Sequence, residues 1–200
     1  MIFGPKARLI IVLGLLASPA LAKAQPVWGL VPLMHALAQV CTASARFTER
    51  QTAPVLSTPL ISTGTLTYAA PNYLRKATLT PAPEIFTLDH AEVTLTGGAS
   101  QGTHVFALTR DPRIAGLVEG IRATLAGDLP ALEHFYTVSL TGTEAGWQLH
   151  LLPKDPSLAR FLRAITISGS QGRIATIDTQ SSDGGDSTMS IQPGDVNDAP

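Results

Sequence analysis

Cysteine is nearly absent from this chain. The single Cys41 among 200 residues excludes an intramolecular disulfide, so stability has to come from a packed core, which a chain of this length supplies as one domain. Charge is scarce as well. Only 14 % of residues are charged against 44 % hydrophobic, a balance that suits a protein with more apolar surface to cover than its own core requires. No excess of basic residues marks a nucleic-acid partner. Phosphate-binding glycine loops and dinucleotide fingerprints are missing. Past the N-terminus no run is long and apolar enough to span a bilayer, which takes about 20 residues.

The N-terminus reads as an export signal. Lys6 and Arg8 are followed by an apolar stretch from Leu9 to Ala17 and then by small residues. Ala20-Leu21-Ala22 and Ala22-Lys23-Ala24 both fit a signal-peptidase site, so the mature chain begins at Lys23 or Gln25. Residues 1–24 are the expected signal peptide, 25–192 one domain, and 193–200 a frayed tail. Cleavage removes Lys6, Arg8 and Lys23 and no acid, leaving 11 basic and 15 acidic residues, about −4. Cys41 lies too far downstream for lipidation and is expected to be a small buried residue.

Trp28 to Val40 places Leu30, Leu33, Met34 and Leu37 on one helical face. The period then changes to two. Strands are expected near 43–50, 64–68, 74–79, 84–88, 92–96 and 103–108, and again near 135–140, 147–152, 165–168, 173–179 and 187–191, about ten in all. A second helix interrupts them. Asp111 caps it, Pro112 fits its first position, Ile114, Leu117, Val118, Ile121 and Leu125 form its stripe, and Gly127 ends it. A short third helix opens at Asp155-Pro156. A meander this long curls on itself to cover its apolar face. The fold class is mainly β with helices.

Candidate chemistry is thin. Gly98-Ala99-Ser100-Gln101-Gly102 matches G-x-S-x-G, the nucleophile turn of an envelope serine hydrolase, but strand-like flanks favour a hairpin loop. His35, His90, His104, His134 and His150 have no metal-ligand spacing. Asp183-Gly184-Gly185-Asp186 lacks the alternating acids of a calcium loop and reads as a turn. Arg75-Lys76 reads as solvated charge. No catalytic residue, cofactor or metal is expected.

The helix is followed by Phe47-Thr48-Glu49, by Gly64-Thr65-Leu66-Thr67-Tyr68-Ala69-Ala70-Pro71, and by Asn72 and Leu74. Closing strands carry Trp147, Leu149, Leu151, Pro153 and Met189. In this order they resemble the periplasmic lipoprotein carrier family (LolA), in its divergent LolA-related branch. The resemblance implies an unclosed antiparallel β-barrel with a helical lid over an apolar cavity. It implies a monomer that shields the acyl chains of a lipoprotein or lipid-like cargo in the periplasm. It further implies an inner-membrane transporter and an outer-membrane receptor as partners. A lipid- or lipoprotein-sensing regulatory module is the alternative. Expected cargo-binding residues are Leu33, Leu37, Phe47, Leu66, Tyr68, Leu74, Leu117, Val118 and Ile121. The family carries an arginine immediately before the proline equivalent to Pro71. Ala70 stands there in this chain, so a lid held by apolar contacts alone is expected.

Overall fold

A computed structural model describes residues 28–98, 102–110 and 112–194. The expected signal peptide, the Ser100 loop tip and the expected Asp111 cap lie outside these residues, as does most of the expected tail. Helix α1 (Leu30–Ala38) leads into six strands, β1 (Thr42–Thr52), β2 (Leu60–Ala69), β3 (Tyr73–Thr80), β4 (Glu84–Asp89), β5 (Glu92–Gly97) and β6 (Thr103–Ala107). A 3-10 turn, Leu108–Arg110, precedes α2 (Pro112–Leu125) and α3 (Leu129–Phe135). Then come β7 (Tyr136–Thr143), β8 (Gly146–Pro153), α4 (Pro156–Ala159), β9 (Leu162–Ser170), β10 (Arg173–Ser181) and β11 (Asp186–Pro193).

All eleven strands form one sheet in the order β6-β5-β4-β3-β2-β1-β11-β10-β9-β8-β7. Every pairing is antiparallel. Two hairpin-linked meanders are thus joined where β1 meets β11. The edges, β6 and β7, do not pair with each other, so the barrel is unclosed. This topology dictates where the helices go. The chain must travel from one sheet edge to the other between β6 and β7, and it does so as α2 and α3, which lie across one face of the curled sheet.

Register fixes which face that is. Phe47 pairs with Gly64 and Ile191, Tyr68 with Leu74, Leu74 with Leu88, and Leu88 with Val93. Pairs directly opposite share a face, so this apolar set runs sideways across strands onto one concave surface. The side chains of β8 and β9 on the same surface, Trp147, Leu149, Leu151, Ile165 and Ile167, are fully buried. The alternate residues of β1 and β2, such as Thr48 and Thr65, face outward beside Arg46 and Gln192, around an open pocket of about 230 Å³.

The boundaries of α2 follow from its sequence. Pro112 opens it, and at the other end Asp128 N–H reaches the Ala123 carbonyl (2.8 Å) while Gly127 N–H reaches that of Thr124 (3.1 Å). This is the Schellman pattern, which needs a left-handed residue, and Gly127 has φ +63. A Cβ on Gly127 would also stand 2.1 Å from the Met34 carbonyl oxygen of α1. Gly127→Ala is therefore expected to lose more than about 1 kcal/mol to backbone strain alone, with displacement of α1 added. Urea denaturation measures it, and an unchanged midpoint would count against this packing.

Three expectations need correction. Helix α3 was not anticipated; it is short, but Asp128 caps it by accepting from the Ala131 N–H at 3.1 Å. Cys41 is exposed rather than buried, because α1 ends at Ala38 and the chain leaves the core before β1 begins. Lys76 is not a solvated surface charge, since its register places it on the concave face, where it pairs with Glu49.

Candidate functional site

The concave face and the helices over it carry two apolar clusters. The larger joins Leu33, Met34 and Leu37 of α1, Leu132 of α3 and Leu158 of α4 to Tyr136, Trp147, Leu149, Leu151, Ile165, Ile167 and Ile177 of the sheet. The smaller joins Val118 of α2 and Leu108 to Leu88 and Val93, with Leu74, Phe86, Leu95 and Phe106 packed around them. Helix α2 serves both: Leu117 and Ile121 lean on the first, Val118 and Ile114 on the second. Two glycines let α2 approach closely. Gly116 sits where a Cβ would meet the Leu158 side chain, and Gly120 lies against the Tyr136 ring. The buried Tyr136 hydroxyl donates to the Gly116 carbonyl at 2.6 Å.

Between the clusters lie the central strands β1 and β2. Phe47 and Tyr68 are buried there, and Leu66 and Ala45, paired with each other on the same face, are partly exposed. This strip forms an apolar seam. At one end it becomes polar. Lys76 reaches over β2 to Glu49, which also accepts from the Ser187 hydroxyl at 2.6 Å, and its ammonium lies 5.1 Å from the Phe47 ring centre. Gly64 makes this crossing possible, because a Cβ there would stand 2.8 Å from the Phe47 ring.

The other end of the seam is closed by a charged group from the lid. Arg122 of α2 donates through Nε to Glu119 (2.8 Å) and through a terminal nitrogen to Asn72 Oδ1 (3.3 Å) in the turn between β2 and β3. Its other terminal nitrogen is 3.8 Å from Asp128. The Arg122 side chain is only 11 % exposed. This overturns the expectation of a lid held by apolar contacts alone. The turn that begins with Ala70-Pro71 is bonded to the lid, but the arginine comes from the helix and the acceptor from the sheet.

Beside this contact is Tyr68. Its hydroxyl is buried and has no hydrogen-bond partner among the described residues. Burial pushes its pKa up, and the positive charge of Arg122 partly offsets that rise. The phenol therefore stays neutral and can donate throughout the physiological range. An unsatisfied buried donor costs about 1–3 kcal/mol, so the seam offers an unmet hydrogen bond to an acceptor.

All nine residues expected to contact cargo lie on the concave face or on the helix faces turned to it, yet they do not form one patch. Leu33, Leu37, Leu117 and Ile121 belong with the larger cluster, Leu74 and Val118 with the smaller, and Phe47, Leu66 and Tyr68 with the seam. Sequence reasoning missed Arg122, Asn72, Glu49 and Lys76. The spacing of Glu119 and Arg122, three apart, suits a helix-face ion pair, but nothing local points to Asn72.

The other candidates resolve simply. The strands flanking Ser100 are β5 and β6, paired as a hairpin, with Gly97, Gly98 and Gly102 at positive φ. Asp183-Gly184-Gly185-Asp186 turns β10 into β11, and Asp183 accepts from the Gly185 N–H at 3.0 Å. His90 contacts Asp89 at 2.7 Å, while His104 pairs with Leu95. No cluster of three metal-ligating side chains occurs among the described residues.

The chain is similar to several solved structures. A LolA superfamily protein from Nitrosomonas europaea is 9 % identical, with a TM-score of 0.45 over 87 % of this chain and 96 % of that one. The MucA/MucB complex of Pseudomonas aeruginosa supplies another, 12 % identical, with a TM-score of 0.43 over 82 % of this chain and 56 % of that one. Comparison with curated protein sequences finds no match. The family model described as outer membrane lipoprotein carrier protein LolA-like matches residues 27–200. With that match spanning the whole domain, this chain belongs to the LolA-like family of outer membrane lipoprotein carrier proteins.

Proposed function

We propose that the protein is a periplasmic carrier. It is exported by the signal at residues 1–24 and shields acyl chains of a lipoprotein or lipid-like cargo between an inner-membrane transporter and an outer-membrane receptor. The observation that carries this reading is the seam, an apolar strip on the concave face made by Phe47, Leu66 and Tyr68, with Arg122 of α2 bonded to Asn72 at one end. An acyl chain gains about 0.8 kcal/mol for each buried methylene, so even one chain rewards a site of this kind. The Tyr68 hydroxyl has the chemistry to donate to the carbonyl oxygen of an ester- or amide-linked acyl group.

Release is supported by the same packing. Leu33, Leu37, Leu117, Val118 and Ile121 pack into the two apolar clusters with residues of the sheet. Cargo has to displace some of these contacts, and the lid regains them when cargo leaves. A carrier needs that competition, because a ligand shifts the lid only by its differential affinity for the open state. The test is mass spectrometry of organic extracts from protein purified out of its native envelope. We expect acylated peptide or lipid near one equivalent per chain. A clean protein that also fails to bind a fluorescent fatty acid would overturn the reading.

A further inference from the structure

The connection between β1 and β2, residues 53–59, stands at the end of the sheet opposite the Arg122–Asn72 contact. Val55 at its tip is 91 % exposed, and Leu56 is 42 % exposed. Beside them Leu60, Ile61 and Leu79 are exposed as well. Val55 and Leu56 form an apolar tip, with Leu60, Ile61 and Leu79 on the strand ends behind it, whereas the other exposed large side chains among the described residues, Val31, Val105, Leu152 and Phe161, are scattered along the chain. The tip is firmly mounted. Leu56 N–H bonds the Ala53 carbonyl at 2.9 Å, Thr52 donates to the Asp186 carbonyl at 3.3 Å, and Pro54 rests near Gly184 of the β10–β11 turn. No charged residue occurs between Arg50 and Arg75.

We propose that this tip docks on the lipid–water interface of a bilayer, with Val55 and Leu56 inserted among the acyl chains. The size of the patch favours lipid over protein. A stable protein interface buries about 800 Å² on each side, far more than one hairpin tip presents, whereas insertion into lipid gains with each methylene buried and has no minimum area. The loop carries no charge of its own from Gln51 to Leu74, and the charges that flank it, Arg50 opposite Ile61 and Asp186 opposite Thr52, lie at its base. Val55 and Leu56 can therefore enter the interface without a charge on the inserted tip, and the Ser57 and Thr58 hydroxyls suit its polar edge. Continuity with the seam gives the docking a use. The concave-face residues of β2 run from Leu60 through Ser62, Gly64 and Leu66 to Tyr68, a track from the tip to the seam. The proposal goes beyond the carrier reading, and docking does not require that any cargo bind.

The test is sedimentation of the full mature chain with phosphatidylcholine vesicles, comparing wild type with the double variant Val55→Asp, Leu56→Asp. Wild type is expected to co-sediment and the variant to partition roughly tenfold less or weaker. Because docking is through uncharged side chains, adding anionic lipid should not strengthen binding and added salt should not abolish it. Both positions are exposed, so the melting temperature and fatty-acid-probe binding of the variant should match wild type. That pairing separates the two proposals: loss of probe binding in wild type strikes the carrier reading, and loss of vesicle binding in wild type strikes this one. Vesicle binding by the variant equal to wild type would overturn it. So would a wild-type dimer in solution that the variant abolishes, because the tip would then be covered by a second copy.

Discussion

Arg122→Ala should loosen the lid more than any other single change in a charged residue of this protein. The guanidinium is 11 % exposed and bridges Glu119, Asn72 and, at longer range, Asp128. Its removal leaves Glu119, itself 19 % exposed, without its cation. Removing one partner of a buried pair costs more than the pair contributed when intact. About 2 kcal/mol is a reasonable expectation for a site that keeps some access to water, equivalent to a fall in melting temperature of about 4–8 °C. If that loss falls on the closed lid alone, the open population rises roughly thirtyfold. Binding of an apolar fluorescent dye should then increase even as the protein becomes less stable. Arg122→Lys, which keeps charge but loses the fork, should fall between. A variant that melts early without taking up more dye would show that Arg122 supports the fold and not the lid. Asn72→Ala supplies the second check, because it removes the acceptor on the sheet side and leaves the Glu119 ion pair in place.

The reach of the sequence can be seen residue by residue. Alternation from Ala43 onward located the strands, since a half-buried sheet writes its period into the chain. The ends of α2 were legible because Pro112 and Gly127 act locally, through a fixed φ and a positive φ. Helix α3 escaped because Leu129–Phe135 is too short to show a helical period, although Asp128 before Pro130 was a usable cap signal. The seam was beyond local reading. Alternation puts Leu66 with Tyr68 on one face of its own strand, but only the pairing register says that Phe47 shares that face, and only the order of the strands says that it is central and lies between two packed clusters. The polar contacts were further still. Lys76 meets Glu49 across an intervening strand, and Arg122 meets Asn72 fifty positions away in the chain. Such pairs are set by tertiary geometry, and no spacing rule reaches them. The family resemblance led toward the correct turn at Ala70-Pro71 but to the wrong conclusion about how it is held.

Val118→Asn and Leu66→Asn should separate core from seam, and the former should be among the most damaging substitutions in α2. Val118 is buried against Leu88, Val93 and Leu108. An amide there is deprived of water and partners, and the neighbours are close-packed. A loss of about 2–4 kcal/mol follows from the unsatisfied polar group and the altered packing together. Leu66 is half-buried on the seam, so an amide at that position can still reach water, and the loss should stay near or below about 1 kcal/mol. Acyl binding should show the opposite order once stability is factored out. Leu66→Asn places a polar group where cargo is proposed to lie, and affinity for a fluorescent fatty acid should drop roughly tenfold, the equivalent of about 1.4 kcal/mol. Melting curves and probe titrations, run on both variants at a temperature where each is folded, make the comparison. If Leu66→Asn melts as low as Val118→Asn, the seam is ordinary core, and a proposed carrier has no floor on which to hold its cargo. If instead Val118→Asn keeps its stability and loses the probe, α2 lifts away from the smaller cluster when cargo enters, and the binding surface extends from Leu66 through Leu74 to Leu88 and Val93.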